Sequence, residues 1–73
     1  MTADNQPLRI AIAGYGVVGK RRREFIDAHP ALKTVAVCDR TFDGNGQLED
    51  GVPYFCTPDE LLAQDFDALF VCM

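Results

Sequence analysis

The apolar residues of this chain fall into short runs separated by polar or glycine-rich turns. The first run, "LRIAIAG" (8–14), is bounded by a proline and a glycine, which is typical of a strand buried on both faces of a parallel sheet. The pattern then changes to a helical period, with Val18, Phe25 and Ile26 on one apolar stripe. Pro30 follows this stripe and predicts the end of a helix.

Further strand-like runs follow the predicted helix. "KTVAVCD" (33–39) is rich in β-branched residues and predicts a second strand. "TFDGNGQLEDG" (41–51) is predicted to be a loop, and "PYF" (53–55) a short strand at most. "DALFVCM" (67–73) is another run typical of a buried strand.

A second helix is predicted before that last run, in "TPDELLAQ" (57–64). Thr57 is expected to be its N-cap residue and Pro58 its first helical residue. Glu60, three residues after the cap, is expected to complete a capping box.

The predicted order, β-α-β, loop, β, α, β, indicates an α/β fold with a parallel sheet. Four strands in the order 3-2-1-4 form the first half of a Rossmann-like dinucleotide-binding domain. The last strand would then lack its next neighbour, so we expect a truncated, partial domain over residues 8–73 after a disordered or extended tail at 1–7. The chain is accordingly interpreted as the amino-terminal piece of a longer protein.

The composition of the chain argues against several classes of protein. The chain has 73 residues, of which 48% are hydrophobic, and this does not resemble a disordered composition. A formal net charge of −4 argues against nucleic-acid binding, and no apolar stretch is long enough to predict a membrane span. The three cysteines lack the spacing of a metal site, so we expect reduced thiols, no bound metal and a cytoplasmic protein.

The strongest chemical signal is "GYGVVG" (14–19), a G-x-G-x-x-G motif between a predicted strand and a predicted helix. In such a motif Gly14 permits the tight turn, Gly16 lets a pyrophosphate approach the backbone, and Gly19 lets the helix pack closely. An acidic residue, Asp39, follows Gly19 by 20 positions, at the end of the second predicted strand. The combination predicts a dinucleotide site rather than a turn without a ligand.

The residues around the motif suggest how a cofactor is held. The amides of Val17 and Val18, at the helix start, would face an anion. Asp39 would accept hydrogen bonds from the adenosine ribose and repel a 2′-phosphate, which favours NAD over NADP. Arg40 leaves NADP as an alternative cofactor, since its side chain could bind a 2′-phosphate or lie over the adenine ring.

The basic run "KRRR" (20–23) is interpreted mainly as a solvated helix face. Arg22 falls four residues after Val18 and four before Ile26, on the predicted apolar stripe. Its stem could lie along the sheet, or its charge could act on a bound pyrophosphate. No chemistry is assigned to His29.

Three segments together, "LRIAIAGYGVVGKRRREF", "VAVCDR" and "TPDELLAQDFDALFVCM", resemble the amino-terminal domain of the glucose–fructose oxidoreductase/inositol dehydrogenase (Gfo/Idh/MocA) family. The resemblance covers residues 8–73. It implies hydride transfer between a nicotinamide cofactor and a sugar, inositol or related polyol.

The resemblance also implies roles for particular residues. Pyrophosphate contacts would fall to Gly14, Gly16, Val17 and Val18, and adenosine contacts to Asp39 and Arg40; the backbone at Cys72 and Met73 would approach the cofactor. The family's catalytic lysine, in a Glu-Lys-Pro motif, and its partner histidine have no counterpart here. Lys20 and Lys33 stand in a different context, so no catalytic residue is assigned and the chemistry would require the full-length protein.

Two other classes remain. A non-enzymatic dinucleotide-sensing module would use the same motif, and an S-adenosylmethionine-dependent methyltransferase also has a glycine-rich turn, although its glycine spacing usually differs. The expected partners are a dinucleotide, a sugar or polyol in the full-length protein and further copies of the chain as a homo-oligomer, but neither nucleic acid nor membrane.

Overall fold

The computed structural model describes residues 6–72. Most of the predicted tail at 1–7 and the predicted cofactor contact at Met73 lie outside this range. The described elements, in chain order, are β1 (Leu8–Ala13), α1 (Val17–Ala28), β2 (Leu32–Cys38), β3 (Gly46–Gln47), β4 (Pro53–Phe55), α2 (Pro58–Leu62) and β5 (Ala68–Val71).

These strands form one five-stranded sheet in the order β3-β4-β2-β1-β5. β1 pairs in parallel with both β2 and β5, and β2 pairs in parallel with β4, whereas β3 is antiparallel to β4. The result is a small α/β fold with a mixed, mostly parallel sheet, compatible with a Rossmann-like fold.

The observed sheet differs from the predicted four-stranded parallel sheet by one additional strand, β3, which is antiparallel; the four predicted strands keep the order 3-2-1-4, as β4-β2-β1-β5. β3 lies in the segment 41–51 that was predicted to be a loop. Its chain returns through a turn at Gly51, whose φ is 90°, and pairs with β4. A Cβ on Gly46 would lie 2.7 Å from the Tyr54 hydroxyl oxygen, so glycine allows this strand to pass close to the tyrosine.

The core is divided between the two faces of the sheet. On one face, Ile10 and Ile12 of β1 pack with Val37 of β2 and Ile26 of α1. On the other face, the smaller side chains Ala11, Ala13, Ala36 and Cys38 surround Leu61 of α2. The alternation along β1 follows the two-residue period of a strand buried on both faces.

The predicted apolar stripe of α1 is confirmed at Ile26 but wrong at Val18 and Phe25. Val18 is 60% exposed and Phe25 is 69% exposed, whereas Gly19 and Ile26 are buried. The buried face is determined by Gly19, because an added Cβ would lie 2.0 Å from the Gly14 carbonyl oxygen. The close contact between this glycine and the preceding turn therefore sets the rotation of the helix.

The predicted start of α2 is confirmed. Thr57 is the N-cap residue, its hydroxyl accepts a hydrogen bond from the Glu60 N–H at 3.3 Å, and Pro58 is the first helical residue. The return bond of the capping box differs from the expected one, because the Glu60 carboxylate accepts from the Thr57 hydroxyl at 2.9 Å. Neither helix in the described range has the length and apolar character needed to cross a membrane.

Candidate functional site

A cleft opens at the carboxyl ends of the parallel strands. Its volume is about 510 Å³, within the range of small-molecule sites. In open α/β sheets, ligands bind at this edge. The residues that line the cleft are Gly14, Gly16, Cys38, Asp39, Arg40, Thr41, Pro58 and Cys72. Five of the residues predicted from the sequence, namely Gly14, Gly16, Asp39, Arg40 and Cys72, thus share one cavity.

Hydrogen bonds between neighbouring strands hold this edge together. The Gly14 N–H donates to the Cys38 carbonyl at 2.9 Å, and the Cys72 N–H donates to the Ala13 carbonyl at 2.7 Å. Gly14 then leaves β1 with a φ of 97°, a conformation that favours glycine. The chain therefore makes the tight turn after β1 that the motif predicted.

The other two glycines of the motif differ in their surroundings. A Cβ on Gly19 would collide with the Gly14 carbonyl oxygen, whereas a Cβ on Gly16 would meet nothing within 4 Å. Gly19 thus lies behind the cleft and packs the helix against the turn. Gly16 faces open space on the cleft side, which leaves room for a ligand to reach the backbone.

The amino terminus of α1 lies beside this space. Gly16 is the N-cap residue and makes no side-chain capping bond, and the first turn holds no acidic residue. Val17 and Val18, the predicted contacts in that turn, are exposed. Because the first N–H groups of a helix lack intrahelical partners and carry the positive end of its dipole, this end favours an anion.

Asp39 faces the glycine turn from the end of β2. Its Oδ2 accepts the Tyr15 N–H at 2.7 Å, and its Oδ1 accepts the Thr41 N–H at 2.9 Å and the Thr41 hydroxyl at 2.8 Å. The bonds from Thr41 foremost, and then the Tyr15 N–H and the Arg40 charge, hold the pKa of this carboxyl below its usual value. Asp39 is therefore an anion at neutral pH.

The described contacts leave Asp39 able to accept one further hydrogen bond. A carboxylate has about four lone-pair positions, and Tyr15 and Thr41 occupy three of them. The remaining position is on Oδ2. A ribose hydroxyl could donate to it, and Arg40, which is exposed, lies at the same rim of the cleft.

The backbone N–H groups and the carboxylate at the cleft match the parts of a dinucleotide. The glycine turn and the open helix terminus suit a pyrophosphate, and the ionised Asp39 suits a ribose diol. Gly16 leaves open the space that its Cβ would otherwise fill. The residues described here therefore supply both binding elements expected from the sequence motif.

Several residues at the site were not anticipated. Thr41 follows Asp39 by two residues, a spacing at which aspartate commonly bonds its own backbone in a turn, so this contact had a local signal. Cys38, at the end of β2, and Pro58, at the start of α2, line the cleft because the tertiary fold brings both elements to it. Arg23 was grouped with a solvated run, yet its side chain is only 14% exposed.

Arg22 is exposed, as a solvated helix face predicts, and only the alternative that placed its stem along the sheet is wrong. It lies beside a second surface depression of about 250 Å³ that Val18, Arg21 and Phe25 also line. The prediction relied on Val18 and Ile26 as buried neighbours of Arg22, but only Ile26 is buried. Arg23, one position further, donates a hydrogen bond to the Tyr15 hydroxyl in the glycine turn.

The remaining chemically versatile residues lie apart from the cleft lining. Lys33 is near the start of β2, the end away from the cleft, and His29 is the C-cap residue of α1. The Lys20 ammonium is 5.9 Å from the centre of the Tyr15 ring. Between residues 6 and 72, no cluster of three or more potential ligand side chains could hold a metal ion.

Comparison with known proteins adds no relative to this picture: no protein-family model, no curated protein and no solved structure matches the chain. The resemblance in "Sequence analysis" therefore stays a prediction from the residues. Functional inference depends on the cleft, its glycine turn and its carboxylate.

Proposed function

We propose that this chain binds a nicotinamide dinucleotide in the cleft at the carboxyl ends of β1, β2 and β5. The observation that carries the proposal is the pairing of an open helix terminus with an ionised carboxylate across one cavity. On this proposal the fold is the first half of a Rossmann-like dinucleotide-binding domain.

Each part of the cofactor has a matching part of the cleft. The pyrophosphate would lie over Gly16, where the amides of Val17 and Val18 start the helix. The adenosine ribose would donate a hydroxyl to Asp39. The end of β5, at Cys72, borders the same cavity and would approach the cofactor from the other side of β1.

The charge at the adenosine end favours NAD over NADP. Asp39 is held in its ionised form by its hydrogen bonds, and a carboxylate repels the 2′-phosphate of NADP. Arg40 works in the opposite direction, because a guanidinium binds phosphate well. We therefore expect NADH to bind more tightly, with NADPH as a weaker second ligand.

The wider activity proposed is that of an oxidoreductase acting on a sugar, inositol or related polyol. It depends on the resemblance to the glucose–fructose oxidoreductase/inositol dehydrogenase family. When bound, the nicotinamide ring accepts or donates a hydride. The described residues bind and orient the cofactor, and the groups that act on the substrate would come from the full-length protein, proposed to be a cytoplasmic homo-oligomer.

A dinucleotide-sensing regulatory module is the alternative, since it would use the same cleft without substrate chemistry. The two functions differ in one assay. Turnover of NAD⁺ with a polyol by the full-length protein supports the oxidoreductase, whereas cofactor binding without turnover across a panel of sugars and polyols supports the sensor.

Titration of the chain with NADH and with NADPH tests the binding proposal. Asp39→Ala should weaken NADH binding by about tenfold or more, because the ribose loses a charged hydrogen-bond partner. It should also reduce the preference for NADH over NADPH. Asp43→Ala, at an exposed aspartate in the following segment, is the matched control and should change neither affinity. An NADH affinity unaffected by Asp39→Ala would refute the assignment.

A further inference from the structure

Arg23 joins three separate parts of the molecule through one guanidinium group. Its Nε donates to Asp27 at 2.9 Å, its Nη1 donates to the Tyr15 hydroxyl at 3.1 Å, and its Nη2 donates to Asp50. Asp27 in turn accepts the N–H of Thr34 on β2 at 3.1 Å. One side chain of α1 thus contacts the glycine turn and the segment before β4, and connects through Asp27 to β2.

Tyr15, the residue between the first two glycines of the motif, is fixed at both ends. Its hydroxyl accepts from Arg23, and its backbone N–H donates to Asp39 Oδ2 at 2.7 Å. Its ring is 6.4 Å from that of Phe42, which is 4.4 Å from that of Tyr54. The orientation of the Tyr15 ring and the orientation of its peptide N–H are therefore coupled within one residue.

That coupling reaches the carboxylate of the proposed cofactor site. The Tyr15 N–H occupies one position of Asp39 Oδ2 and so fixes the orientation of a carboxylate that lines the cleft. Arg23 lines neither this cleft nor the smaller depression on α1. Among the described partners of Arg23, Tyr15 is the one that bonds a residue of the cleft, Asp39, so the most direct route from Arg23 to a ligand passes through Tyr15.

We propose that Arg23 is a positioning residue: by holding the Tyr15 hydroxyl, its guanidinium aligns the Tyr15 N–H with Asp39 and so orients the carboxylate for the adenosine ribose. This inference rests on the proposed dinucleotide function. It assigns one member of the basic run a role that differs from charge attraction to phosphate. A group held in place before binding raises affinity because less ordering remains to be done when the ligand arrives.

The first test needs no ligand. In the full chain, hydrogen exchange of the Tyr15 amide is compared with that of the Gly14 amide, which bonds the Cys38 carbonyl in the same turn. Arg23→Met and the milder Tyr15→Phe should each speed exchange at Tyr15 by about fivefold or more and leave Gly14 unchanged. Arg23→Lys should restore protection in part, and Arg21→Met, at an exposed arginine of the same helix, should have no effect.

The second test uses ADP and 2′,3′-dideoxy-ADP, which share a pyrophosphate and differ in the ribose hydroxyls. Arg23→Met should weaken ADP binding by about fivefold and leave dideoxy-ADP binding unchanged. Equal losses for both nucleotides, or exchange that rises at Gly14 and Tyr15 together, would overturn the inference and reduce Arg23 to a general structural role. So would an unchanged Tyr15 amide.

A different result would contradict the proposed function. Equal affinity of the wild-type chain for ADP and dideoxy-ADP would contradict the ribose contact of Asp39. The amide comparison would then still decide whether Arg23 holds the Tyr15–Asp39 bond.

Discussion

The glycines of the 14–19 turn have different physical reasons for being glycine. Gly14 has a positive φ, and Gly19 has no room for a Cβ against the Gly14 carbonyl. Gly16 has an ordinary negative φ and open space around it. Folding thus requires Gly14 and Gly19, whereas no contact within the described fold requires Gly16. On the proposed function, Gly16 leaves room for the pyrophosphate.

A pair of alanine substitutions separates these reasons. Gly19→Ala should lower the free energy of unfolding by about 3 kcal/mol, because the new methyl group would overlap backbone that cannot move aside easily. Gly16→Ala should change it by less than about 1 kcal/mol but weaken NADH binding by about tenfold, because the methyl group occupies the approach of the pyrophosphate. Urea unfolding and NADH titration of both variants measure the contrast. Equal destabilisation by the two substitutions would contradict it.

At this scale the sequence predicted the motif well. The turn at Gly14, the close packing of Gly19 and the position of Asp39 all follow from local spacing. It did not predict that Arg23 rather than Arg22 turns towards the site. That choice depends on the rotation of α1, which the tertiary contact between Gly19 and Gly14 determines.

Among the elements, α2 is short and depends on its amino-terminal cap. It has five residues and one buried side chain, Leu61. Thr57 caps it, and Glu60 also accepts from Asn45, in the segment before β3. The bonds from Asn45 and Thr57 hold the pKa of Glu60 below its usual value, so its carboxylate stays ionised to a lower pH than that of an ordinary glutamate.

Removal of the cap should therefore lower the stability of the whole fold. We expect Thr57→Ala to lower the free energy of unfolding by about 1 kcal/mol, as for other N-cap replacements. Thr57→Ser retains the hydroxyl and should stay close to the wild type. Chemical denaturation of both variants provides the measurement, and equal stabilities of the alanine and serine variants would show that the cap contributes little.

The elements also show where sequence patterns stop being informative. Period and capping residues were sufficient for β1, β2, α1 and the start of α2. β3 has two residues and no apolar period, so it could not be distinguished from a turn; its pairing depends on the hairpin through Gly51. The stripe of α1 was misassigned at Val18 and Phe25 because the residue buried beside Ile26 is a glycine, Gly19, which carries no apolar signal.

For the molecule as a whole, the two edges of the sheet differ. β3 ends one side and has two residues, whereas β5 ends the other side with Leu69 37% exposed and Val71 63% exposed. An apolar edge strand offers unpaired backbone groups to another chain. We therefore expect the isolated chain to self-associate through β5.

Charge on that edge should weaken self-association. Val71→Lys is expected to raise the dissociation constant by about tenfold, since an edge lysine opposes strand pairing. Leu8→Lys changes an apolar side chain of similar exposure at the far end of β1 and serves as the control. Sedimentation velocity over a concentration series gives both constants. A monomeric, cooperatively melting wild-type chain would contradict the expectation.

Amide chemical shifts recorded during titration with NAD⁺ test most directly whether the carboxyl edge of the sheet binds the cofactor. We expect saturable shifts clustered at residues 14–19, at 39–41 and at Cys72. The opposite edge, marked by the contacts of Arg9 with Asp65 and Asp67, should serve as an internal reference with unchanged signals. Shifts centred on that opposite edge, or no saturable shift at the cleft, would contradict the claim that this chain binds a nicotinamide dinucleotide there.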